Sequence, residues 1–270
     1  MKENGYRWQG KWALVTGASS GIGEAIARKF SLEGLHVILA ARRKDRLNKL
    51  AAELNGLGGI TYVFPVDLAS ETGRLDLYQY VHANTGELDV LVNNAGLGWY
   101  GYYSKMPWST AYKMIQVNIG AVIHLTSLFL PQMQTRNAGH IINIGSIAGS
   151  IPSQGVALYS ASKSFLDAFT TSLYRELQGS RVHVSVIRAG PVRSEFFQVV
   201  ADQPESTHIP VEKYGISTES VAKRIWNVLQ RPKRIIYVPR MLAITPWVEL
   251  LFGWLQDRIG PILLKRNSSD

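Results

Sequence analysis

Cysteine is absent from the 270-residue sequence. That removes disulfide cross-links, thiolate nucleophiles and thiolate metal ligands together, and it gives no support to an oxidising destination. No uninterrupted apolar run of about 18 residues occurs in the C-terminal tail either. Glu249, Asp257 and Arg258 break up the Leu-, Ile- and Trp-rich stretch 241–264, so a membrane span is not expected there. The opening MKENGYRWQGKW carries charge but no apolar leader core, and a cytoplasmic protein is expected. Internal repeats, low-complexity tracts and motifs of the nucleic-acid-binding folds are also missing, so one domain without a linker and no nucleic-acid partner are expected. No metal site is expected.

What is present is an apolar content of 46%, enough for a sizeable core, and a formal charge of +9. The charge favours an anionic partner, such as a nucleotide, an acidic carrier or a membrane surface, without choosing among them. Short apolar runs at 12–16, 35–40, 60–64, 88–92, 140–145, 182–187 and 234–238 alternate with stretches of helical period. Helices are predicted over Ile22 to Glu33, Asp45 to Leu54, Ser109 to Thr135, Leu158 to Leu177 and Thr218 to Gln230. This is the pattern of an α/β fold in which about seven parallel strands are covered by helices on both faces. One domain spans 1–270, with a core over 10–239 and a hydrophobic helical extension over 240–270. The connection 191–216 is long for a compact domain and reads as a lid or a disordered segment.

The turn TGASSGIG, Thr16 to Gly23, follows the first strand and opens a helix. Gly17 permits a tight turn, Gly21 lets the backbone approach a phosphate, and Gly23 lets the helix pack closely, with helix-start amides facing the anion. Turn chemistry alone would also explain these glycines. At the end of the second strand a carboxylate would bond a ribose 2'-hydroxyl and repel a 2'-phosphate. Here the strand ends in Ala40-Ala41 followed by Arg42-Arg43, whose guanidinium forks suit a phosphate. NADP(H) is therefore the expected cofactor, with Lys44, Arg46 and Lys49 read as a solvated helix start.

Further on, YSASK places Tyr159 and Lys163 at i and i+4, on one helical face. A free phenol titrates near 10, too high for efficient proton transfer near neutrality, and an adjacent ammonium would lower it. The spacing alone fits an ordinary surface pair equally well. Ser146, at the end of the fifth strand, supplies a hydroxyl that could meet the phenol and a substrate carbonyl.

These motifs resemble the short-chain dehydrogenase/reductase family, whose cofactor turn reads T-G-x-x-x-G-x-G. The likeness continues through Asn93-Asn94-Ala95-Gly96 to Tyr159 with Lys163 and covers most of 10–238. It implies a catalytic set of Asn118, Ser146, Tyr159 and Lys163, in which Asn118 supports a proton route to the lysine. It also implies cofactor contacts from Gly17, Ser19, Ser20, Gly21, Ile22 and Gly23, from Arg42 and Arg43, from Asp67 and Leu68, from Asn94, Ala95 and Gly96, and from Tyr159 and Lys163. Asp67 could equally cap the following helix, Asn118 could be a buried structural amide, and Asn93 could hold cofactor-side backbone or simply form a turn. After the sixth strand the family often has Pro-Gly, whereas this chain has Ala189-Gly190-Pro191; Gly190 can still turn the chain beside the cofactor, and Val192 and Ser194 match the positions that bind the carboxamide and the pyrophosphate.

The aromatic residues Trp99, Tyr100, Tyr102, Tyr103, Phe196 and Phe197 suggest an apolar substrate. The face Trp247, Leu250, Leu251, Trp254 and Leu255 could complete the core, join subunits, cover the pocket or lie on a membrane. Packing or assembly is preferred over peripheral membrane contact through 241–264. The family implies a carbonyl reductase or alcohol dehydrogenase acting on a small molecule and assembled as a homo-oligomer, a dimer or tetramer. The competing readings are a 3-oxoacyl thioester reductase serving an acidic carrier, against which the long tail counts, and an NADP-sensing regulator without turnover, against which the retained Ser, Tyr, Lys and Asn count.

Overall fold

The computed structural model describes residues 8–203, 205, 206 and 215–267. Its strands alternate side chains between two faces, and both faces are apolar. In β1 (Trp12–Thr16) Ala13 and Val15 enter one core cluster and Leu14 the other; in β2 (His36–Ala41) Val37 and Leu39 oppose Ile38 and Ala40. A strand buried on both faces needs a cover on both. One cover is α1 (Gly21–Leu32), α2 (Lys44–Leu54) and α8 (Thr218–Gln230); the other is α3 (Glu71–Thr85), α5 (Ala121–Arg136) and α6 (Ala157–Glu176).

The sheet is completed by β3 (Thr61–Pro65), β4 (Val90–Asn93), β5 (Gly139–Ser146), β6 (Val182–Ala189) and β7 (Ile235–Val238). All pairings are parallel, in the order β3-β2-β1-β4-β5-β6-β7. The order reverses between β1 and β4, and the connections leaving their C-terminal ends diverge. That divergence opens a crevice above the sheet, the usual place for a ligand in such folds. All seven predicted strands are present, shifted by at most two residues at either end.

Three elements depart from the expected pattern. α3 has no strong apolar stripe, since it buries only Arg74, Leu77 and Val81, and it starts where the Ser70 hydroxyl accepts from the Gly73 amide. The helix predicted over 109–135 is α4 (Trp108–Ile115) joined to α5 through a π-helical turn, Gln116–Gly120, that contains Asn118. Trp108–Arg136 is long and apolar enough to cross a membrane by length and composition, but 44% of its apolar window is buried, with Leu125, Phe129 and Met133 in the core. Within 191–216, the short α7 (Phe196–Ala201) is ordered structure, whereas 204 and 207–214 lie outside the described residues. The chain ends in α9 (Thr245–Asn267).

Candidate active site

A cleft of about 900 Å³ runs along the C-terminal ends of the strands, from the turn after β1 to α9. At its nucleotide end the backbone is pinned by a few polar side chains. Gly17 and Gly21 hold φ of +65° and +60°, conformations that side chains rarely adopt. A Cβ on Gly23 would lie 2.4 Å from the Gly17 carbonyl oxygen, so the close packing expected of this glycine is against the turn itself. The Asn94 side chain donates to the carbonyls of Thr16 and Gly17 at 2.8 and 3.3 Å, and the Thr16 hydroxyl accepts from the amides of Asn94 and Ala95. Ser20 precedes α1 without capping it through its side chain, which leaves first-turn amides free for an anion.

Around this turn Ser19, Ile22, Arg42, Arg43, Asp67, Leu68, Ala95, Gly96, Gly190, Val192 and Ser194 all line the cleft. The geometry bears on four expectations. The Asn93 side chain donates to Asn143 and Thr126 inside the core, and the backbone-holding role falls to Asn94. Arg43 is already engaged: it donates to the hydroxyls of Ser19 and Ser20 and forms an ion pair with Glu195 at 2.8 Å. Arg46, read as solvated, pairs with the same Glu195 oxygen at 2.8 Å. Asp67 accepts from the Ala69 amide in a local turn, while Ser70 caps α3.

At the reacting end β5 and α6 meet. Gly149 faces α6 so closely that an added Cβ would lie 2.8 Å from the Lys163 backbone, and this approach brings the strand end beside Tyr159. Ser146 and Tyr159 line the same end of the cleft, and the Ser146 hydroxyl accepts from the Ala148 amide at 3.1 Å. Lys163, only 5% exposed, donates to the Ile144 carbonyl at 2.9 Å, with its Nζ 5.6 Å from the centre of the Tyr159 ring. Burial pushes the Lys163 pKa down to about 8, with Asp167 opposing the shift. Burial also pushes the Tyr159 phenol up, and the nearby Ser146 side chain only partly offsets it. The expectation that Lys163 lowers the phenol is therefore not met in the protein by itself. The ammonium is directed to a carbonyl and the ring face, and burial disfavours its charged form.

Asn118 accepts from the Leu97 amide at 2.8 Å and donates to the Leu97 carbonyl and the Ser162 hydroxyl at 2.9 and 3.0 Å. Both amide hydrogens are committed, so the side chain clamps the segment after β4 against α6. Sequence reasoning missed two supports. Ser162 anchors that clamp, and Asp167, one turn beyond Lys163, pairs with Arg188 of β6 at 3.0 Å. The signal for Asp167 was in the i+4 spacing from Lys163, but its partner lies 21 residues away on another element.

The outer wall is aromatic and aliphatic. Trp99, Tyr100, Phe196, Phe197, Val248, Phe252 and Leu255 line the cleft, and the Phe196 ring lies 5.9 Å from that of Tyr159. Tyr102 and Tyr103 point to solvent instead. α9 does cover the cleft, but through Val248, Phe252 and Leu255. Of the predicted face, Trp247, Leu250, Leu251 and Trp254 turn outward, each about 60% exposed or more. Helical spacing could not tell these faces apart because α9 is apolar on both. Among the described residues no cluster of His, Asp and Glu could hold a metal ion.

The switch-point crevice, the glycine turn with free helix-start amides and the Ser-Tyr-Lys group define a dinucleotide-binding α/β oxidoreductase. Residues 11–205 match the family model for the short chain dehydrogenases, and the chain belongs to that family. It is 35% identical over 240 residues to the NADP-dependent 3-hydroxy acid dehydrogenase YdfG of Shigella flexneri, covering 86% of this chain and 94% of that protein. It superposes on a short-chain dehydrogenase from Sphingobium yanoikuyae in complex with NADPH with a TM-score of 0.79, at 26% identity and covering 92% and 95% of the two chains. A serine dehydrogenase in closed form complexed with NADP+ gives 0.75 at 32% identity, covering 84% and 93%.

Proposed function

We propose that the protein is an NADP(H)-dependent oxidoreductase that interconverts a carbonyl group and a secondary alcohol on an apolar small molecule. The observation that carries this reading is the meeting of Ser146, Tyr159 and the buried Lys163 in the lining of one cleft that begins at the glycine turn. Gly17, Ser19 to Ile22, Arg42, Asp67, Leu68, Asn94 to Gly96, Gly190, Val192 and Ser194 line the cleft and would hold the dinucleotide, with the exposed Arg42 meeting a 2'-phosphate. The relatives named as NADP-dependent or complexed with NADP(H) support that choice. The bound nicotinamide supplies or accepts the hydride.

The protein's own residues handle the oxygen and its proton. Ser146 orients the carbonyl and donates to its oxygen, and Tyr159 passes its hydroxyl proton to that oxygen as negative charge develops. Lys163 would hold the nicotinamide ribose and, in the charged form, stabilise the phenolate left behind. Asn118 keeps Leu97 and Ser162 fixed next to the lysine.

A 3-hydroxy acid, as named for the relative, is the second reading. Its carboxylate would need a cation, yet among the described residues lining the cleft the cations are Arg42 and Arg43 at the nucleotide end and the buried Lys163. The apolar wall therefore favours an uncharged substrate. A panel of ketones, aldehydes, steroids, 3-hydroxy acids and acyl thioesters, followed by nicotinamide absorbance with NADPH and NADH, tests both readings. Turnover confined to hydroxy acids sinks the first. Light scattering tests the dimer or tetramer expected for the assembly.

A further inference from the structure

The nucleotide end of the cleft carries an anion of its own. Glu195, at the start of α7, places one carboxylate oxygen 2.8 Å from Arg43 Nη1 and 2.8 Å from Arg46 Nη1. Arg43 in turn donates to Ser19 and Ser20 of the glycine turn at 3.1 and 2.7 Å. The carboxylate thus occupies a cradle of two guanidinium groups beside the turn. Burial pushes the Glu195 pKa up, but the bonds from Arg43 and Arg46 outweigh it and hold the carboxyl down to about 2, so it is charged throughout the neutral range. Arg42, the neighbouring cation, is exposed and makes no hydrogen bond or ion pair among the described residues.

The pairs join segments 152 and 149 residues apart across the cleft. Ser194 leans on the same turn, since a Cβ on Gly21 would lie 3.2 Å from the Ser194 Cβ. Phe196, the next residue after Glu195, faces Tyr159. The Glu195 contact therefore ties the first turn of α7, part of the substrate wall, to the start of α2. Side chains of Arg43, Arg46 and Glu195 are 39%, 51% and 29% exposed, so these are water-screened pairs that a stronger anion can replace. A phosphate carries more charge than a carboxylate and accepts paired bonds from arginine.

We propose that Glu195 is a cofactor-discriminating residue: it fills the arginine cradle until the phosphate on the cofactor's adenosine ribose displaces it, and a cofactor without that phosphate leaves it in place. The inference rests on the NADP(H) reading above. Displacement frees the start of α7, so the same event that admits the phosphate adjusts the wall beside Tyr159. Like charges cannot share the cradle cheaply, which makes the two anions alternatives.

The test compares dissociation constants of NADPH, NADH, 2'-AMP and 5'-AMP for the wild type and Glu195→Gln. Removing the competing charge should tighten NADPH and 2'-AMP roughly three- to ten-fold and leave NADH and 5'-AMP within about two-fold, the size of one or two partly exposed ion pairs. Unchanged or weakened NADPH binding in Glu195→Gln, with the wild type still preferring NADPH, overturns the role of Glu195 alone. A wild type that binds NADH as tightly as NADPH overturns the cofactor reading beneath it. In the wild type, the Val199 amide, bonded to the Glu195 carbonyl at 3.0 Å, should exchange hydrogen faster with NADPH than with NADH. Equal exchange overturns displacement even if the substitution perturbs folding.

Discussion

The floor of the cleft and its outer wall are held by different means. On the floor, Lys163 is bonded to β5, Asn118 to both the segment after β4 and α6, and Asn94 to the glycine turn, so polar bonds between elements hold these side chains in place. On the wall, Phe252 and Leu255 line the same cleft while 54% and 42% exposed, and the outer side of α9 shows Trp247, Leu250, Leu251 and Trp254 to solvent. Buried hydrogen bonds are costly to leave unmade and therefore set geometry tightly. Apolar contact is non-directional and tolerates a change of shape. On the proposed reading, the proton chemistry sits on the rigid side and substrate choice on the adaptable side.

The largest expected break in this contrast is at Tyr159. Tyr159→Phe keeps the ring and loses only the proton donor, so turnover should fall at least about 100-fold while the NADPH dissociation constant and melting temperature stay near those of the wild type. A variant retaining more than about a tenth of wild-type turnover removes the phenol from the chemistry, because general acid catalysis is larger than that.

Lys163 tests how tightly the floor is sealed. Its pKa is about 8 in the fold against 10.5 for a free side chain, so between these values the unfolded chain binds more protons than the folded one. Stability must then rise with pH across that window, and the penalty of the buried ammonium is present in full below it. Relative to Lys163→Met, the wild type should gain on the order of 3 kcal/mol from about pH 8 to 10.5 in urea unfolding. Parallel curves for the two proteins would show that the lysine is not desolvated.

At the nucleotide end, Arg42→Ala should weaken NADPH about ten- to a hundred-fold and NADH little, the value of a charge-assisted hydrogen bond. Equal losses for both cofactors would remove Arg42 from the phosphate site. The smallest effect belongs to the wall. Phe252→Ala should raise KM for bulky apolar substrates by about three- to ten-fold, leave NADPH affinity unchanged, and hardly alter the melting temperature, as befits a half-exposed ring. An equal change for small and bulky substrates would mean that α9 does not shape the pocket.

Much of the site was legible because it is written in local chemistry. Gly17 and Gly21 announce positive φ, and Ala40-Ala41-Arg42-Arg43 announces a strand end without a carboxylate. Tyr159 and Lys163 share a helix face at any time that helix forms. α3 was harder to see because few of its side chains are buried, and the π-helical turn at Asn118 left no mark in the apolar period.

The sequence by itself determined the seven strands, the two-sided core, the anion-binding turn and the candidates for proton transfer, since each depends on residue type and on spacing within one element. Only the tertiary structure decided that Glu195 reaches Arg43 and Arg46, that Asp167 meets Arg188, that Val248 and Phe252 rather than Trp247 face the cleft, and that burial raises the Tyr159 phenol. Those outcomes depend on which distant segments share a desolvated volume, and desolvation and Coulomb energy follow distance in space, which spacing along the chain does not encode.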